Sequence, residues 1–578
     1  MKHFGVDAGS PVGRQLAGVA GHVYHANASL HRMWSESIGV LAGLDRTDRI
    51  AYFNAKRFLC FQLAKLLDTL QNPMRASYQS LVVQESTRSS KGPYPIFDNV
   101  TAVFSATPVI ARTATYLYAC TEWIDDAFQG KELLHEIYSR LMNPTSTCLA
   151  NYIVDIEAGT RANEYFAWNF NSGMAAIDSI LSHLIGFQDI VLSSRNIYGG
   201  SYQLLHDWYG KKSNLDVAVC WFDGYTVEDF GEALGRVESE HRSRLDQGRQ
   251  IYIFLESPGN PHGYVLDVPG ITRLAHEKGM AVLCDSTVGT PFLQPVLRHD
   301  DPMERPDFVI HSYTKDLVGT GTTTAGVVIG RNEQMFLPKG ESVDALNFDG
   351  RMRTFKWDET LFWNVYYVKG AFLDADKAFD VINGMRTLEL RMLRKCISTV
   401  VVARGLASHP GINVRCSAVE GNENWDLREK QMLLGLPPPL FTIDFEPRDP
   451  SAKRFDSLDI KRFFDCLEPA FGLQVSLGQA NTVVLCPALT SHSELAEDAL
   501  RAAGIAPTTI RIAIGDEDPR NLLAHFMRAA ELALDPVDPG FSGRFMKPAG
   551  IDALYREIYT DVHTRYVDSQ PPMTTLLR

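Results

Sequence analysis

The chain has 578 residues, of which 45% are hydrophobic and 10% aromatic, and its formal net charge is −13. The apolar content excludes a disordered polymer, and the acidic balance excludes a protein that binds nucleic acid through a basic face. The apolar runs are shorter than the roughly 20 residues that a membrane span needs, so no membrane partner is predicted.

The cysteines and the N-terminal residues indicate the cellular compartment of the protein. Nine cysteines are scattered along the chain without a CxxC pair. This dispersed, odd number is typical of reduced thiols in a cytoplasmic protein. The N-terminal residues lack the apolar core of a signal peptide. The sequence therefore predicts a cytoplasmic globular protein with no metal site.

Residues 1–128 are predicted to form a helical extension. Leucines recur at helical spacing between about 48 and 70, and Thr47 and Asp48 are placed to cap that helix. The polar stretch 86–95 is typical of a loop. The sequence leaves open whether the extension is an oligomer arm, a lid or an independent module, and favours a packing layer without direct chemistry.

Residues 129–375 are predicted to form a large α/β domain. Short apolar runs at 251–255, 280–284 and 308–310 each end in polar residues, and a helical stretch at 268–278 separates the first two. Strands that alternate with helices predict βαβ units and a mostly parallel central sheet sandwiched by helices. Such sheets bind ligands at the carboxyl ends of their strands.

Residues 376–578 are predicted to form a smaller α+β domain and a tail. Apolar periodicity predicts a helical stretch at 373–407, and short apolar runs predict strands at 441–445 and 509–514. The segment 337–360 is polar and is interpreted as an irregular insertion. The predicted fold class is therefore α/β, with a smaller second domain.

Three consecutive strand ends deliver polar residues to one edge of the predicted sheet. Glu256 and Asn260 follow the first strand, Asp285 follows the second, and Lys315 follows the third. Pyridoxal 5′-phosphate needs a lysine amine for its Schiff base and a carboxylate that keeps its pyridine nitrogen protonated. A desolvated lysine is also a nucleophile and later a general base. Singly, Lys315 is more often a surface residue, and Glu256 and Asn260 are more often turn residues. Asp285 alone is equally well explained as a turn residue, so the interpretation depends on their joint order.

Two further features suit the phosphate of this cofactor. The hydroxyls of Ser312 and Thr314 lie just before Lys315 and can donate hydrogen bonds to an anion. Asn171-Ser-Gly opens a predicted helix, and the first backbone N–H groups of a helix suit an anion. A Ser-Gly pair at a helix start is more often a cap, so this feature alone does not identify an anion site.

A series of motifs, in order over roughly 130–535, resembles a known family. The first motifs are Tyr138-Ser-Arg-Leu-Met-Asn-Pro-Thr, Asn171-Ser-Gly-Met-Ala-Ala-Ile, Tyr198-Gly-Gly-Ser-Tyr and Glu256-Ser-Pro-Gly-Asn-Pro. The others are Cys284-Asp-Ser-Thr-Val-Gly-Thr-Pro, His311-Ser-Tyr-Thr-Lys, Ser476-Leu-Gly, Ser491-His and Ile510-Arg-Ile-Ala-Ile-Gly-Asp-Glu-Asp. Together they resemble the Cys/Met-metabolism family of pyridoxal-phosphate enzymes, which includes cystathionine γ-synthase, cystathionine lyases, methionine γ-lyase and O-acylhomoserine sulfhydrylases.

The resemblance implies an aspartate-aminotransferase-like fold and a set of cofactor contacts. It makes Lys315 the Schiff-base lysine and proton shuttle, and it pairs Asp285 with the pyridine nitrogen. Tyr198 stacks on the ring and assists departure of the leaving group. The implied phosphate ligands are Ser172, Gly173, Met174, Ser312 and Thr314, with Tyr138 and Arg140 from a neighbouring subunit. Shared sites of this kind imply a homodimer or homotetramer.

The resemblance also implies how an amino-acid substrate binds. Arg511 holds the α-carboxylate through two parallel hydrogen bonds, a geometry that lysine cannot copy. Asn260 and Ser476 lie beside the carboxylate and the cofactor. The predicted reaction is γ-replacement on an O-acyl-homoserine-type amino acid, as in transsulfuration by cystathionine γ-synthase. The alternative is a γ- or β-lyase that acts on cystathionine, methionine or a related amino acid.

The chain departs from the family pattern at several positions. Asp316 stands where an aromatic residue usually follows the lysine, Leu436-Pro-Pro-Pro-Leu replaces a glycine-rich entrance loop, and Arg415-Cys-Ser-Ala replaces a YP motif. The extension 1–128 and the segment 337–360 are longer than the common forms. These departures leave the cofactor chemistry in place and bear on the substrate.

Two other functional classes are less well supported. A regulatory module that only bound the cofactor would not need Lys315, Asp285, Tyr198 and Arg511 together. A nucleotide-dependent enzyme is disfavoured, because the chain has no GxGxxG between a strand and a helix and no GxxxxGK[ST].

Overall fold

The computed structural model describes residues 6–42, 58, 62, 105–116, 121–129, 137–347, 349–446, 454–490, 498, 500 and 503–573. The helix predicted at 48–70, apart from Phe58 and Gln62, lies outside the described residues, as do the loop at 86–95 and the Ser491-His motif. The described residues divide into two compact units. In the described part of the chain, no helix is long and apolar enough to cross a membrane.

The first unit holds the described residues before 110, those at 121–126 and those from 567 onward. Among the described residues of this unit, the longest element is helix α1, Pro11–Ala42. The unit also includes most of helix α2, Thr121–Phe128. The described elements of the N-terminal extension are thus helices.

The second unit holds residues 110–116 and the described residues from 127 to 566. Its helices are α3 Pro144–Ala158, α4 Gly173–Leu184, α5 Gly199–Gln203, α6 Val227–Glu240, α7 Arg242–Asp246, α8 Val268–Glu277, α9 Thr290–Leu293, α10 Asn332–Met335, α11 Tyr367–Lys369, α12 Ala375–Met385, α13 Leu388–Ala407, α14 Trp425–Gln431, α15 Ser457–Asp465, α16 Pro519–Ala533 and α17 Pro548–Ser569, whose end belongs to the first unit. Its strands are β1 Tyr165–Phe170, β2 Ile190–Ser194, β3 Ala218–Phe222, β4 Ile251–Glu256, β5 Val282–Asp285, β6 Phe308–His311, β7 Gly326–Arg331, β8 Ser342–Leu346, β9 Met352–Lys356, β10 Asn413–Arg415, β11 Leu440–Asp444, β12 Gly472–Leu473, β13 Val483–Leu485 and β14 Ile510–Ala513.

The main sheet has seven strands in the order β1-β7-β6-β5-β4-β2-β3. The five strands from β6 to β3 are mutually parallel, and β7 runs antiparallel to both of its neighbours. This confirms the predicted mostly parallel sheet. Right-handed crossover helices place the ligand-binding edge of such a sheet at the carboxyl ends of its strands.

The central strands are buried on both faces, which explains why they are continuous apolar runs. Alternate residues of β4 enter opposite cores: Ile253 and Leu255 pack into the core that contains α13, whereas Phe254 packs into the core that contains α4. Both cores exclude water from the strands, so the polar groups that end each strand stand out as exceptions.

The smaller sheet has five strands in the order β10-β11-β14-β13-β12. Its pairs are antiparallel except for β12 with β13. In the register between β11 and β14, Thr442 lies opposite Arg511. Arg511 therefore lies on the middle strand, where its backbone is held by ladders on both sides.

The segment 337–360 has regular structure, so the prediction that it is irregular is wrong. Strands β8 and β9 pair in an antiparallel hairpin, and the Asn347 N–H closes the turn by donating to the Arg351 carbonyl. Gly350 has a φ of +72°, a conformation that favours glycine. The prediction missed the hairpin because most of its residues are exposed, so it lacks the apolar alternation that marks a half-buried strand.

Candidate active site

Polar residues from three parallel strands meet at one edge of the main sheet. Glu256 ends β4 and lies directly opposite Asp285, which ends β5. Strand β6 ends at His311, and the chain then turns through Lys315. Because neighbouring parallel strands end at the same edge, residues about thirty positions apart along the chain become neighbours.

The amine of Lys315 lies in a largely desolvated position. Its Nζ donates to the Ser476 hydroxyl at 2.7 Å, across 161 positions of sequence. Burial, reinforced by the positive charge of Arg511, lowers the pKa of Lys315 to about 8. A lysine with so low a pKa has a substantial neutral fraction near neutral pH, and the neutral amine is the nucleophile.

The lowered pKa predicts how Lys315 reacts in the cofactor-free protein. The rate of its acylation by an amine reagent should rise with pH through an inflection near 8 and then level off, because only the neutral amine attacks. Peptide mass spectrometry measures the rate, and the exposed Lys212 of the same chain is followed separately as a control. An inflection near the ordinary lysine value of about 10.4 would contradict the desolvated position.

Asp285 is a buried carboxylate whose two described hydrogen bonds fall on one oxygen. Thr287 donates to its Oδ1 from both the backbone N–H, at 3.0 Å, and the hydroxyl, at 2.5 Å. Burial raises the pKa of Asp285, and the hydrogen bonds from Thr287 and the nearby His311 and Lys315 oppose that rise. A carboxylate stabilised in this way suits a buried, protonated ring nitrogen.

Glu256 joins two other residues of the candidate site. Its carboxylate accepts from the backbone N–H of Tyr198 at 2.6 Å and from that of Asn260 at 3.1 Å. Burial and the nearby Asp285 raise the pKa of Glu256 well above its usual value. The sequence placed Glu256 at the edge but did not identify it as a site residue, because a clamp between two backbone N–H groups leaves no local pattern.

Arg511 lies buried beside the same cluster. Its Nη1 donates to Asn260 Oδ1 at 3.0 Å, and its Nη2 donates to the backbone carbonyl of Ser476. The buried Nε has no hydrogen-bond partner among the described residues. Burial lowers the pKa of Arg511 to about 10. A buried guanidinium with one donor unsatisfied is suited to an anionic ligand.

A cradle for an anion lies at the start of α4. An added Cβ on Gly173 would come within 2.7 Å of the Ser312 side chain, so glycine is required for the two segments to approach. Ser172 caps the helix by accepting from Ala175 N–H, and Met174 follows as the second helical residue. The first N–H groups of a twelve-residue helix and the Ser312 hydroxyl therefore face each other, which suits a phosphate.

Thr287 and Thr314 hold this cradle in place. The Thr287 hydroxyl, which donates to Asp285, also accepts from the Ser312 N–H at 2.8 Å. The Thr314 hydroxyl donates to the Ala325 carbonyl and accepts from the Ala325 N–H. Thr287 thus connects the carboxylate to the anion cradle, a role that no sequence signal indicated.

Tyr198, Tyr138 and Arg140 lie outside the buried cluster formed by Lys315, Asp285, Glu256 and Arg511. Tyr198 is 42% exposed, although its backbone is held by Glu256. Arg140 donates to the backbone carbonyl of Tyr367 at 2.6 Å and lies over the ring of Tyr138. Among the described residues, no hydrogen bond or ion pair joins Tyr138 or Arg140 to Lys315. Their expected contact with a neighbouring subunit stays a prediction.

These residues fit pyridoxal 5′-phosphate. The fit rests on a glycine-lined cradle for the phosphate, a buried carboxylate for the ring nitrogen and a desolvated lysine amine for the aldehyde. The three groups lie at or just after the ends of β1, β5 and β6, whose carboxyl ends lie at the same edge of the main sheet. A nucleotide site would instead need a glycine-rich loop around a diphosphate.

Comparisons with known proteins agree with pyridoxal 5′-phosphate as the cofactor. The model of the family described as Cys/Met metabolism PLP-dependent enzyme matches residues 98–531. The L-methionine gamma-lyase of Pseudomonas putida is 29% identical over 427 residues, which cover 73% of this chain and 92% of the relative. The O-acetyl-L-homoserine sulfhydrylase of Leptospira meyeri is 27% identical, covering 72% and 90%.

A solved structure with the same cofactor is also similar to this chain. A Campylobacter jejuni protein assigned as an O-acetylhomoserine (thiol)-lyase has a TM-score of 0.61 and 27% identity, covering 74% of this chain and 96% of the other. That crystal structure contains N′-pyridoxyl-lysine-5′-monophosphate, a lysine bonded to the cofactor.

Proposed function

Because the chain belongs to the Cys/Met-metabolism family of pyridoxal-phosphate-dependent enzymes, we propose that it replaces the γ-substituent of an O-acylhomoserine with a thiol. The observation that carries the proposal is the convergence of Lys315, Ser476 and Arg511. The amine of Lys315 donates to Ser476, whose carbonyl accepts from Arg511. A base and a carboxylate-binding group thus contact the same residue and lie close together, as removal of an α-proton from an amino acid requires.

When bound, pyridoxal 5′-phosphate supplies the electron sink for the carbanion at Cα. Lys315 would hold the cofactor through its Nζ, and Asp285 would keep the ring nitrogen protonated. Gly173, Met174 and Ser312 would bind the phosphate, with Ser172 and Thr314 holding the backbone around it. Asp285 and Gly173 are buried, and Gly173 lies directly against Ser312.

The substrate contacts follow from the same geometry. Arg511 would bind the α-carboxylate, with Asn260 and Ser476 orienting its guanidinium. The neutral amine of Lys315 would take the proton from Cα and pass it on along the substrate. Tyr198 would cover the ring and donate a proton to the leaving group. Tyr138 and Arg140 would complete the site of a neighbouring copy, which requires a homodimer or homotetramer.

The choice of a γ-substituted substrate is supported by the named relatives. They include an O-acetyl-L-homoserine sulfhydrylase, an O-succinylhomoserine sulfhydrylase of Mycobacterium tuberculosis and the methionine gamma-lyases. Each of these names describes a four-carbon amino acid whose substituent is attached at Cγ. The second candidate is γ-elimination, which is supported by the L-methionine gamma-lyases of two Pseudomonas species, both 29% identical.

Product analysis separates the two candidates. The holoenzyme should convert O-acetyl- or O-succinyl-L-homoserine and L-cysteine to cystathionine, and 2-oxobutyrate should fall as cysteine rises, because the thiol and water compete for one intermediate. Chromatography of both products provides the measurement. Oxobutyrate that is insensitive to cysteine, together with methanethiol from L-methionine, would instead establish the lyase.

A further inference from the structure

The residue directly after Lys315 is part of a fully buried ion pair. Asp316 Oδ1 lies 2.9 Å from Lys395 Nζ, and the two side chains are 1% and 0% exposed. Lys395 belongs to α13, the long helix that precedes the smaller sheet. Breaking a buried pair is costly, yet an apolar pair of similar volume is often as stable. Stability alone is therefore a weak reason for charges here.

Lys395 also holds the loop that contains Ser476. Its Nζ donates to the Gln479 carbonyl at 2.7 Å, while Ser476 accepts from Lys315. Between them, an added Cβ on Gly478 would come within 2.4 Å of the Asp316 nitrogen and 2.8 Å of the Lys315 Cα. The loop 476–479 thus touches the Lys315 segment at its amine, at its backbone and, through Lys395, at Asp316.

A second residue of α13 holds the same backbone. Arg391, one helical turn before Lys395, donates from Nη1 to the Asp316 carbonyl at 2.8 Å. The Asp316 carboxylate, in contrast, has Lys395 as its hydrogen-bond partner among the described residues, and its Oδ2 has none. Asp516 is the other acid near these cations. The position of the Asp316 side chain is therefore set by Lys395.

From this geometry we propose that the Asp316–Lys395 pair is a positioning device that sets the reach of the Lys315 amine toward the substrate Cα. The pair clamps the Lys315 segment and the Ser476 loop to one helix, so that the two move together. This role rests on the function proposed above. Asp316 and Lys395 touch neither substrate nor cofactor and act through Lys315 and Ser476.

Kinetics of neutral variants test the proposal. Asp316→Asn and Lys395→Met should each lower kcat by between about 10-fold and 10²-fold, because misplacing a reacting group by about 1 Å has that effect. KM should change by less than about 3-fold, since Arg511 remains in place. In the double variant the loss should be smaller than the product of the two single losses, because both variants break one interaction. A loss in the double variant equal to the product of the two single losses would overturn the proposal, and so would a change in KM alone.

A readout without turnover distinguishes this proposal from the proposed function. In cofactor-free protein, the pH inflection for acylation of Lys315 should move below that of the wild type in Asp316→Asn, because the charge of Asp316 favours the protonated amine. Asp307→Asn is the matched control, since Asp307 forms a buried pair with His276 at 3.1 Å and no described contact links it to Lys315. The Asp307→Asn variant should have a lower thermal stability than the wild type and an unchanged pH inflection for Lys315.

The outcomes separate cleanly. If the inflection moves in Asp316→Asn but no tested amino acid is converted by the wild type, the coupling of Asp316 to the Lys315 amine stands and the proposed substrate class is wrong. If the wild type turns over and Asp316→Asn keeps both its kcat and its inflection, the positioning role is wrong. An equal effect of Asp307→Asn on the inflection would also overturn it.

Discussion

Replacing Lys315 with alanine should abolish covalent attachment of the cofactor and lower kcat by at least about 10³-fold. Proton transfer by a positioned side chain contributes typically about 10²- to 10⁴-fold, and Lys315 would also provide the covalent link. The measurements are the absorption band of the bound cofactor, the protein mass after borohydride reduction, and cystathionine formation. In the variant, the reduced protein should lack the mass of the pyridoxyl group.

Two controls distinguish loss of the amine from loss of the fold. Lys212→Ala removes an exposed lysine of the same chain and should retain both the band and the activity. A small exogenous amine should restore part of the turnover of Lys315→Ala, because it can occupy the space of the missing side chain. Retention of a reducible adduct in Lys315→Ala would show that another lysine binds the cofactor, contrary to the site described here.

Replacing Arg511 with lysine should lower kcat/KM by about 30- to 3,000-fold. Losing one partner of a buried, hydrogen-bonded charge pair costs about 2–5 kcal/mol, and each 1.4 kcal/mol is a factor of ten. Lysine keeps the charge but has a single nitrogen, so it cannot contact Asn260, Ser476 and a carboxylate as the guanidinium does. Steady-state kinetics on the preferred amino acid measure the effect.

A substrate lacking the carboxylate makes this test specific. The wild type should discriminate strongly between the amino acid and its α-amide, and Arg511→Lys should discriminate far less. Arg520→Lys is the matched control, because Arg520 is 41% exposed and pairs with Asp518 on the surface of the same unit. If Arg511→Lys discriminated as strongly as the wild type, another group would bind the carboxylate.

The central strands of the main sheet, and the polar residues at their ends, could be predicted because their sequence signals are local. Strand β4 is an uninterrupted apolar run that ends in Glu256, and both faces of that run are buried. The exposed hairpin of β8 and β9 has no such signal, and the prediction of an irregular segment there was wrong. A strand could therefore be predicted only where burial had produced an apolar run in the sequence.

The partners of the site residues could not be predicted in the same way. Thr287 links Asp285 to Ser312 through one hydroxyl, and nothing in the motif separates that role from an ordinary turn. Asp316 and Lys395 lie 79 positions apart in the sequence, and they meet only because helix α13, which contains Lys395, packs against the segment that follows Lys315. Sequence showed Asp316 as a departure from the family and could not show what it contacts.

The sequence by itself determined which chemical groups reach the edge of the main sheet: an amine and two carboxylates follow apolar runs whose lengths and ends are local properties. Arg511 differs, because it lies inside a strand of the smaller sheet and only its motif assigned it to the site. Only the tertiary structure decided the state of those groups. The pKa of Lys315 falls to about 8 because the folded chain removes water around it and brings Arg511 near. Desolvation and charge proximity depend on distances between segments far apart in sequence, and packing alone sets those distances.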